Sequence, residues 1–150
     1  MSEGVMRRVS LMVAGAMLLG ACGASAQPAT QDAGRFDGRW EVTLVCPKAD
    51  DGALPFRWEF AVEVKDSVLH GVHGTDGQPG WMVLDGKIGT DGVADLTAHG
   101  LTGQAAYNLD HTERGAAWEH PVKARFEGER GDGHWVAPRA CEFTFAKVKP

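Results

Sequence analysis

Two alternating stretches at opposite ends of the chain constrain the fold most. In Phe36–Cys46, the residues Phe36, Trp40, Val42, Leu44 and Cys46 fall on even positions, while Arg39, Glu41 and Thr43 fall on odd ones. A β-strand sends successive side chains to opposite faces, so this is a strand with one apolar face. Near the other end, Cys141, Phe143 and Phe145 alternate with Glu142 and Thr144. Cys46 ends the first strand and Cys141 begins the last, both on the apolar face. Antiparallel neighbours bring such ends side by side. An even-stranded antiparallel sheet closed on itself makes its first and last strands neighbours. The pattern predicts a barrel stapled by a Cys46–Cys141 disulfide; two buried thiols are the alternative that a cytosolic protein would favour.

Between these strands the chain reads as short strands and turns. Arg57–Lys65 alternates, with Trp58, Phe60, Val62 and Val64 on one face. Asp66-Ser67 turns into a strand over Val68–His73. Gly74–Gly80 is a loop, and Trp81–Ile88 a fourth strand. Thr90-Asp-Gly92 is a hairpin signal leading into Val93–Ala98. Leu101–Leu109 reads as a sixth strand and Asp110–Ala117 as a loop. Trp118–Gly128 reads as a seventh, with Val122, Ala124 and Phe126 facing one way and Lys123, Arg125 and Glu127 the other. Pro121 cannot donate to a ladder, so it marks a boundary, an edge or a bulge. Glu129–Gly133 reads as a turn, and His134–Val136 leads into Arg139–Val148. About eight short strands and almost no helix predict an all-β fold, an antiparallel up-and-down barrel over residues 35–150.

The N-terminus reads as an export signal covering residues 1–26. Arg7-Arg8 precedes an apolar run, Leu11–Leu19, too short to span a bilayer comfortably, and small residues follow. Two processing routes fit. Ala24-Ser-Ala26 before Gln27 suits ordinary signal peptidase. Leu19-Gly-Ala-Cys22 resembles a bacterial lipobox, which implies lipidation of Cys22 and outer-membrane sorting. Residues 27–34 are a linker on the first route. On the second, Gly23–Gly34 is a tether of about 12 residues with a reach of roughly 20 Å. Both routes place the folded part outside the cytoplasm, in the periplasm or on the outer membrane.

The 150-residue chain carries a net charge of −5 and no cluster of Lys and Arg. That argues against a nucleic-acid partner and leaves a lipid anchor as its route to a membrane. After the signal segment Ser67 is the sole serine, and Gly-x-Ser-x-Gly and His-Glu-x-x-His are both missing. A serine hydrolase or zincin is thereby disfavoured. His70 and His73 fall three apart on a strand, hence on opposite faces, so the six histidines make no obvious metal site. No cofactor is expected.

The layout resembles the avidin and lipocalin class of eight-stranded barrels: an opening Gly38-x-Trp40 strand, hairpins in sequence and a closing strand. More narrowly, Phe36-Asp-Gly-x-Trp40-x-Val42…Cys46, Gly86-x-Ile88…Asp91-Gly92, Arg125-Phe126, Gly131-x-Gly133 and Arg139-x-Cys141-x-Phe143-x-Phe145 resemble a family of exported bacterial small β-barrel proteins. These motifs are structural. The resemblance implies fold and export, and no biotin site is carried over.

The aromatic residues are the remaining functional signal. Trp40, Trp58, Phe60, Phe126, Phe143 and Phe145 fall on inward faces and suggest a largely filled interior. Trp81, Tyr107, Trp118 and Trp135 lie nearer loops and strand ends. Arg125 and Arg139 are placed to flank aromatic rings as cation–π partners or anion contacts. The candidate ligand-binding residues are Trp81, Tyr107, Trp118, Arg125 and Trp135, and no catalytic or metal-binding residue is nominated. The expected function is an exported or lipid-anchored, non-enzymatic barrel that binds a small apolar or aromatic molecule. The alternative is an envelope interaction protein, such as a protease inhibitor or assembly accessory, that works through the loops of a filled barrel.

Overall fold

A computed structural model describes residues 34–150; the signal segment, Cys22 and nearly all of the linker lie outside that range. Eight strands follow one another: β1 (Gly38–Cys46), β2 (Phe56–Lys65), β3 (Val68–His73), β4 (Met82–Ile88), β5 (Val93–Leu101), β6 (Ala117–Glu127), β7 (Arg130–Trp135) and β8 (Glu142–Lys147). Each pairs antiparallel with the next, and β1 pairs with β8, so the sheet is a closed up-and-down barrel. Leu44 lies opposite Phe143 and Val42 opposite Phe145. Just beyond that pairing, the Cys46–Cys141 disulfide joins the two strands, with 4.2 Å between the Cα atoms.

Up-and-down connection sends alternate loops to alternate ends. At one end the turns are tight: Asp66-Ser67, residues 89–92 and Gly128-Glu129. The interior there is closed. Trp40 is completely buried, and its indole N–H donates to the Phe36 carbonyl at 2.9 Å, which draws Phe36 in as a plug. Phe126 touches Phe36 and Phe145 and meets Trp40 edge-on at 5.3 Å. Asp37 accepts hydrogen bonds from the Asp66 and Ser67 backbone N–H groups, tying the plug to the first tight turn.

The connections at the other end are long: residues 47–55, 74–81, 102–116 and 136–141. The expected sixth strand, Leu101–Leu109, is not one. β5 extends to Leu101, where it pairs with Ala117, and the next residues form two short 3-10 turns, Ala105–Tyr107 and Leu109–His111. Their N–H groups bond mostly to nearby carbonyls, as in Tyr107 to Gln104 and His111 to Asn108, and the Ala106 carbonyl accepts from Leu54 in the 47–55 loop, so no ladder forms.

The expected turn at Glu129–Gly133 is instead most of β7. Its first two inward positions are Gly131 and Gly133, and a Cβ on either would come within 2.9 Å of Phe126 or Ala124. The large side chains of β6 and β8 occupy the room that β7 gives up. Pro121 lies inside β6, opposite Thr97. The β7 ladder begins one residue later, at Val122 and Trp135, so the missing N–H falls at its boundary.

Gly92 and Gly77 share a left-handed backbone, φ +83° and +69°, but differ in surroundings. A Cβ on Gly92 would lie 2.1 Å from the Phe126 carbonyl oxygen, whereas one on Gly77 would meet nothing within 4 Å. Gly77→Ala should therefore cost only the backbone penalty of about 1 kcal/mol. Gly92→Ala should cost clearly more, because the β4–β5 turn must also move off β6. Urea midpoints of the two variants check this, and equal losses would contradict it.

Candidate functional site

The strand ends that point to the long loops are aromatic but not closed over. β2 begins with Phe56 and Trp58, in phase with the buried Phe60, Val62 and Val64. β3 ends with His73, in phase with Leu69. β6 begins with Trp118 and His120, in phase with Val122, Ala124 and Phe126. β7 ends with Trp135. Alternation turns all of these side chains inward at the same end of the barrel. Together with the four long loops they line a cavity of about 800 Å³ that opens to solvent.

The walls are stacked rings. Trp58 lies nearly parallel on His73, with centroids 4.2 Å apart and planes 13° apart, and Phe56 tilts against Trp58 at 4.7 Å. On β6 and β7, Trp118 and His120 lie 5.4 Å apart with planes 28° apart. Both contact Trp135. Trp135 is 8 % exposed, and its indole N–H has no hydrogen-bond partner among the described residues.

Arg139 organises the rim. It is 4 % exposed, and its guanidinium donates to the carbonyls of Pro47 (2.8 Å from Nε), Tyr107 (3.0 Å) and Leu54 (2.7 Å). Its carbon also sits 5.2 Å from the Phe56 ring centroid, a cation–π contact. Burial pulls the Arg139 pKa below its ordinary value, and the nearby Asp51 carboxylate opposes that. Asp51 joins two loops from outside, accepting from Ala53 N–H at 2.9 Å and Asp110 N–H at 2.5 Å. Those two backbone bonds hold its carboxyl below the usual carboxylate range. One buried cation and one surface carboxylate thus hold the 47–55 and 102–116 loops to each other and to the β7–β8 connection.

Of the five nominated residues, Tyr107, Trp118 and Trp135 line the cavity. Trp81 does not. Met82 takes the inward position, so Trp81 stands edge-on to His99, 5.9 Å away. Arg125 does not either. It lies between inward Ala124 and Phe126, and borders an outer groove with Glu41 and Asp132. Phe56, Trp58, His73, His120 and Arg139 belong to the cavity and were not nominated as ligand contacts. Their signal is phase: each continues the inward alternation of its strand, or the connection after it, to the same end.

His70 faces outward, against Asp85 at 2.5 Å, and His73 faces inward, as three-residue spacing on a strand requires. Among the described residues no group of three His, Cys, Asp or Glu side chains could hold a metal ion. No protein-family model matches the chain, and no curated protein matches its sequence.

Arg139→Lys should destabilise the protein by about 3 kcal/mol, since one ammonium cannot replace a planar fork shared among three carbonyls. Chemical denaturation measures this, and Asp51→Asn should lose less. The half-buried histidines of the mouth set a pH dependence. Burial lowers the pKa of both His73 and His120 from 6.5. The unfolded chain then takes up protons that the folded chain resists, so stability is full above the unfolded pKa and falls as pH drops below it. Urea midpoints should fall between about pH 7.5 and 5.5, and less steeply in a His73→Gln/His120→Gln variant.

Proposed function

We propose that this protein is an exported, non-enzymatic binding module that holds one small apolar or aromatic molecule in the mouth of its barrel. The observation that carries this reading is the cavity of about 800 Å³ walled by Phe56, Trp58, Trp118 and Trp135. Small-molecule sites are concave, mostly apolar and of about 300–1,000 Å³, with a few polar groups that fix orientation. A barrel of eight strands has room for side chains or for one small ligand. Here the closed end takes the first course and the mouth the second.

Export is part of the proposal. The basic, apolar and small-residue order of residues 1–26 supports it, and a Cys46–Cys141 disulfide is compatible with an oxidising compartment. Lipidation at Cys22 is the anchored form of the same reading. In that form the tether would join the barrel at its closed end, where β1 starts, and each buried CH₂ of the acyl chains would add about 0.8 kcal/mol of anchoring.

The alternative, an envelope protein-interaction module, draws on the gathering of all four long loops at one end. That reading suits a filled barrel, and the open mouth favours the small-molecule reading.

Native mass spectrometry on the protein isolated from its own envelope tests both. The expected result is a small-molecule adduct, one per chain, lost after solvent extraction and diminished in Trp118→Ala. A protein with no adduct that co-purifies with a stoichiometric protein partner would favour the alternative. The same spectra locate the N-terminus: a chain beginning at acylated Cys22 is a lipoprotein, and one beginning at Gln27 is a diffusible binder.

A further inference from the structure

The two ends of this barrel use aromatic residues differently. At the closed end Phe36, Trp40, Phe126 and Phe145 interlock and are buried. At the mouth Phe56, Trp58 and Trp118 are only partly buried, and their rings line open space. Rings that served only as a lid would cover one another across the opening.

The position of the mouth rings is specific. One Trp–His stack stands on β2 and β3, and the other stands on β6. In a closed ring of eight strands, three strands separate β2 from β6 in either direction. The two stacks therefore occupy opposite walls of one cavity. The histidine takes one face of each indole, and Phe56 and Trp135 tilt against Trp58 and Trp118 without lying flat on them. A flat ring between the walls would meet π-surface on both sides, in the offset or edge-on contacts that aromatic groups prefer.

Charge narrows the class. The fixed charges on the lining are Arg114, Arg139 and Asp110, so cations outnumber anions. Burial is the sole cause that lowers the pKa of His73 and of His120, and no carboxylate beside either ring contributes. An aromatic cage for a cation relies on ring faces without a competing positive charge. This one has two guanidinium groups around it.

We propose that the mouth clamps a single flat aromatic ring system, neutral or anionic, between the Trp58–His73 and Trp118–His120 stacks. The proposal rests on the binding-module reading above and names its ligand class.

Calorimetric titration with three probes of one size tests it: 2-naphthoate, its ring-saturated analogue decahydro-2-naphthoate, and 2-naphthylmethylammonium. 2-Naphthoate should bind one per chain, and the saturated acid and the ammonium at least about tenfold more weakly. Trp58→Leu and Trp118→Leu should each weaken 2-naphthoate by about tenfold while changing the saturated acid much less. Far-UV circular dichroism and an intact disulfide establish that these variants fold. The ring protons of bound 2-naphthoate should move upfield in the NMR spectrum, as they do between aromatic faces.

Equal affinity for the aromatic and saturated acids would overturn the clamp and leave a general apolar binder standing. So would 2-naphthoate affinity untouched by both substitutions. Tightest binding of the ammonium would overturn the charge class. If no probe binds up to its solubility limit, the clamp and the binding-module reading both fail.

Discussion

β1 has two neighbours, and one of them is the last strand of the chain. Bringing residues about a hundred positions apart into register costs loop-closure entropy before any contact repays it. Cys46–Cys141 removes much of that cost by constraining the unfolded chain. In the chain-entropy account a cross-link over a separation of 95 residues is worth about 4–5 kcal/mol. Small domains are stable by only about 5–15 kcal/mol in total, so this bond is a large share of what keeps the ring shut. Without β1–β8 pairing the barrel would be an open sheet with two bare edges, and its inward face would have no opposite wall.

The disulfide sits where packing is least able to do the same work. At the closed end the plug of Phe36, the bonded indole of Trp40 and the ring of Phe126 fill the cross-section, and tight turns fix the strand ends. A mouth that keeps space for a ligand cannot be held by filling it. There the strands are held by groups that bind without occupying the centre: the disulfide between β1 and β8, the Arg139 fork across three loop carbonyls, and Asp51 bridging two loops from outside. Arg139 lies two residues from Cys141, so one short connection carries both.

Much of this architecture was legible in the chain, and the parts that were not have a common cause. Alternation marks strands where inward and outward side chains differ in kind, and it located β1 to β4, the last strand, and the inward phase of β6. It fails on β7, because Gly131 and Gly133 have no side chain to mark the inward face. It misleads at Leu101–Leu109, where Leu101, Tyr107 and Leu109 mimic a period of two although Leu101 ends β5 and residues 105–111 turn in two short 3-10 segments. For the site, Tyr107, Trp118 and Trp135 were found by composition. Trp58, His73 and His120 required knowing that the start of β2, the end of β3 and the start of β6 meet at one end. That follows from up-and-down connection, yet only after β7 is recognised and the strand count fixed. Trp81 and Arg125 were nominated against the same alternation, since Met82, Ala124 and Phe126 take the inward positions beside them.

Histidine is an unexpected choice for the wall of an apolar cavity, and the two conditions that the mouth must meet explain it. With a ligand in place the wall should be flat and polarizable, which a neutral imidazole stacked on an indole provides. Without one, the wall faces water, and a phenylalanine there would expose a ring with no hydrogen-bonding edge. An imidazole keeps that edge, at the expense of sensitivity to acid. Burial holds His73 and His120 neutral more firmly than in water, so both conditions are met near neutral pH. Acidification then places positive charge on both walls at once, beside Arg139 and Arg114, and works against the packing of the mouth. The closed end has no titrating group in its aromatic cluster of Phe36, Trp40, Phe126 and Phe145 and feels none of this. The acid sensitivity of these two histidines thus lies in the half of the barrel that has space to bind a ligand.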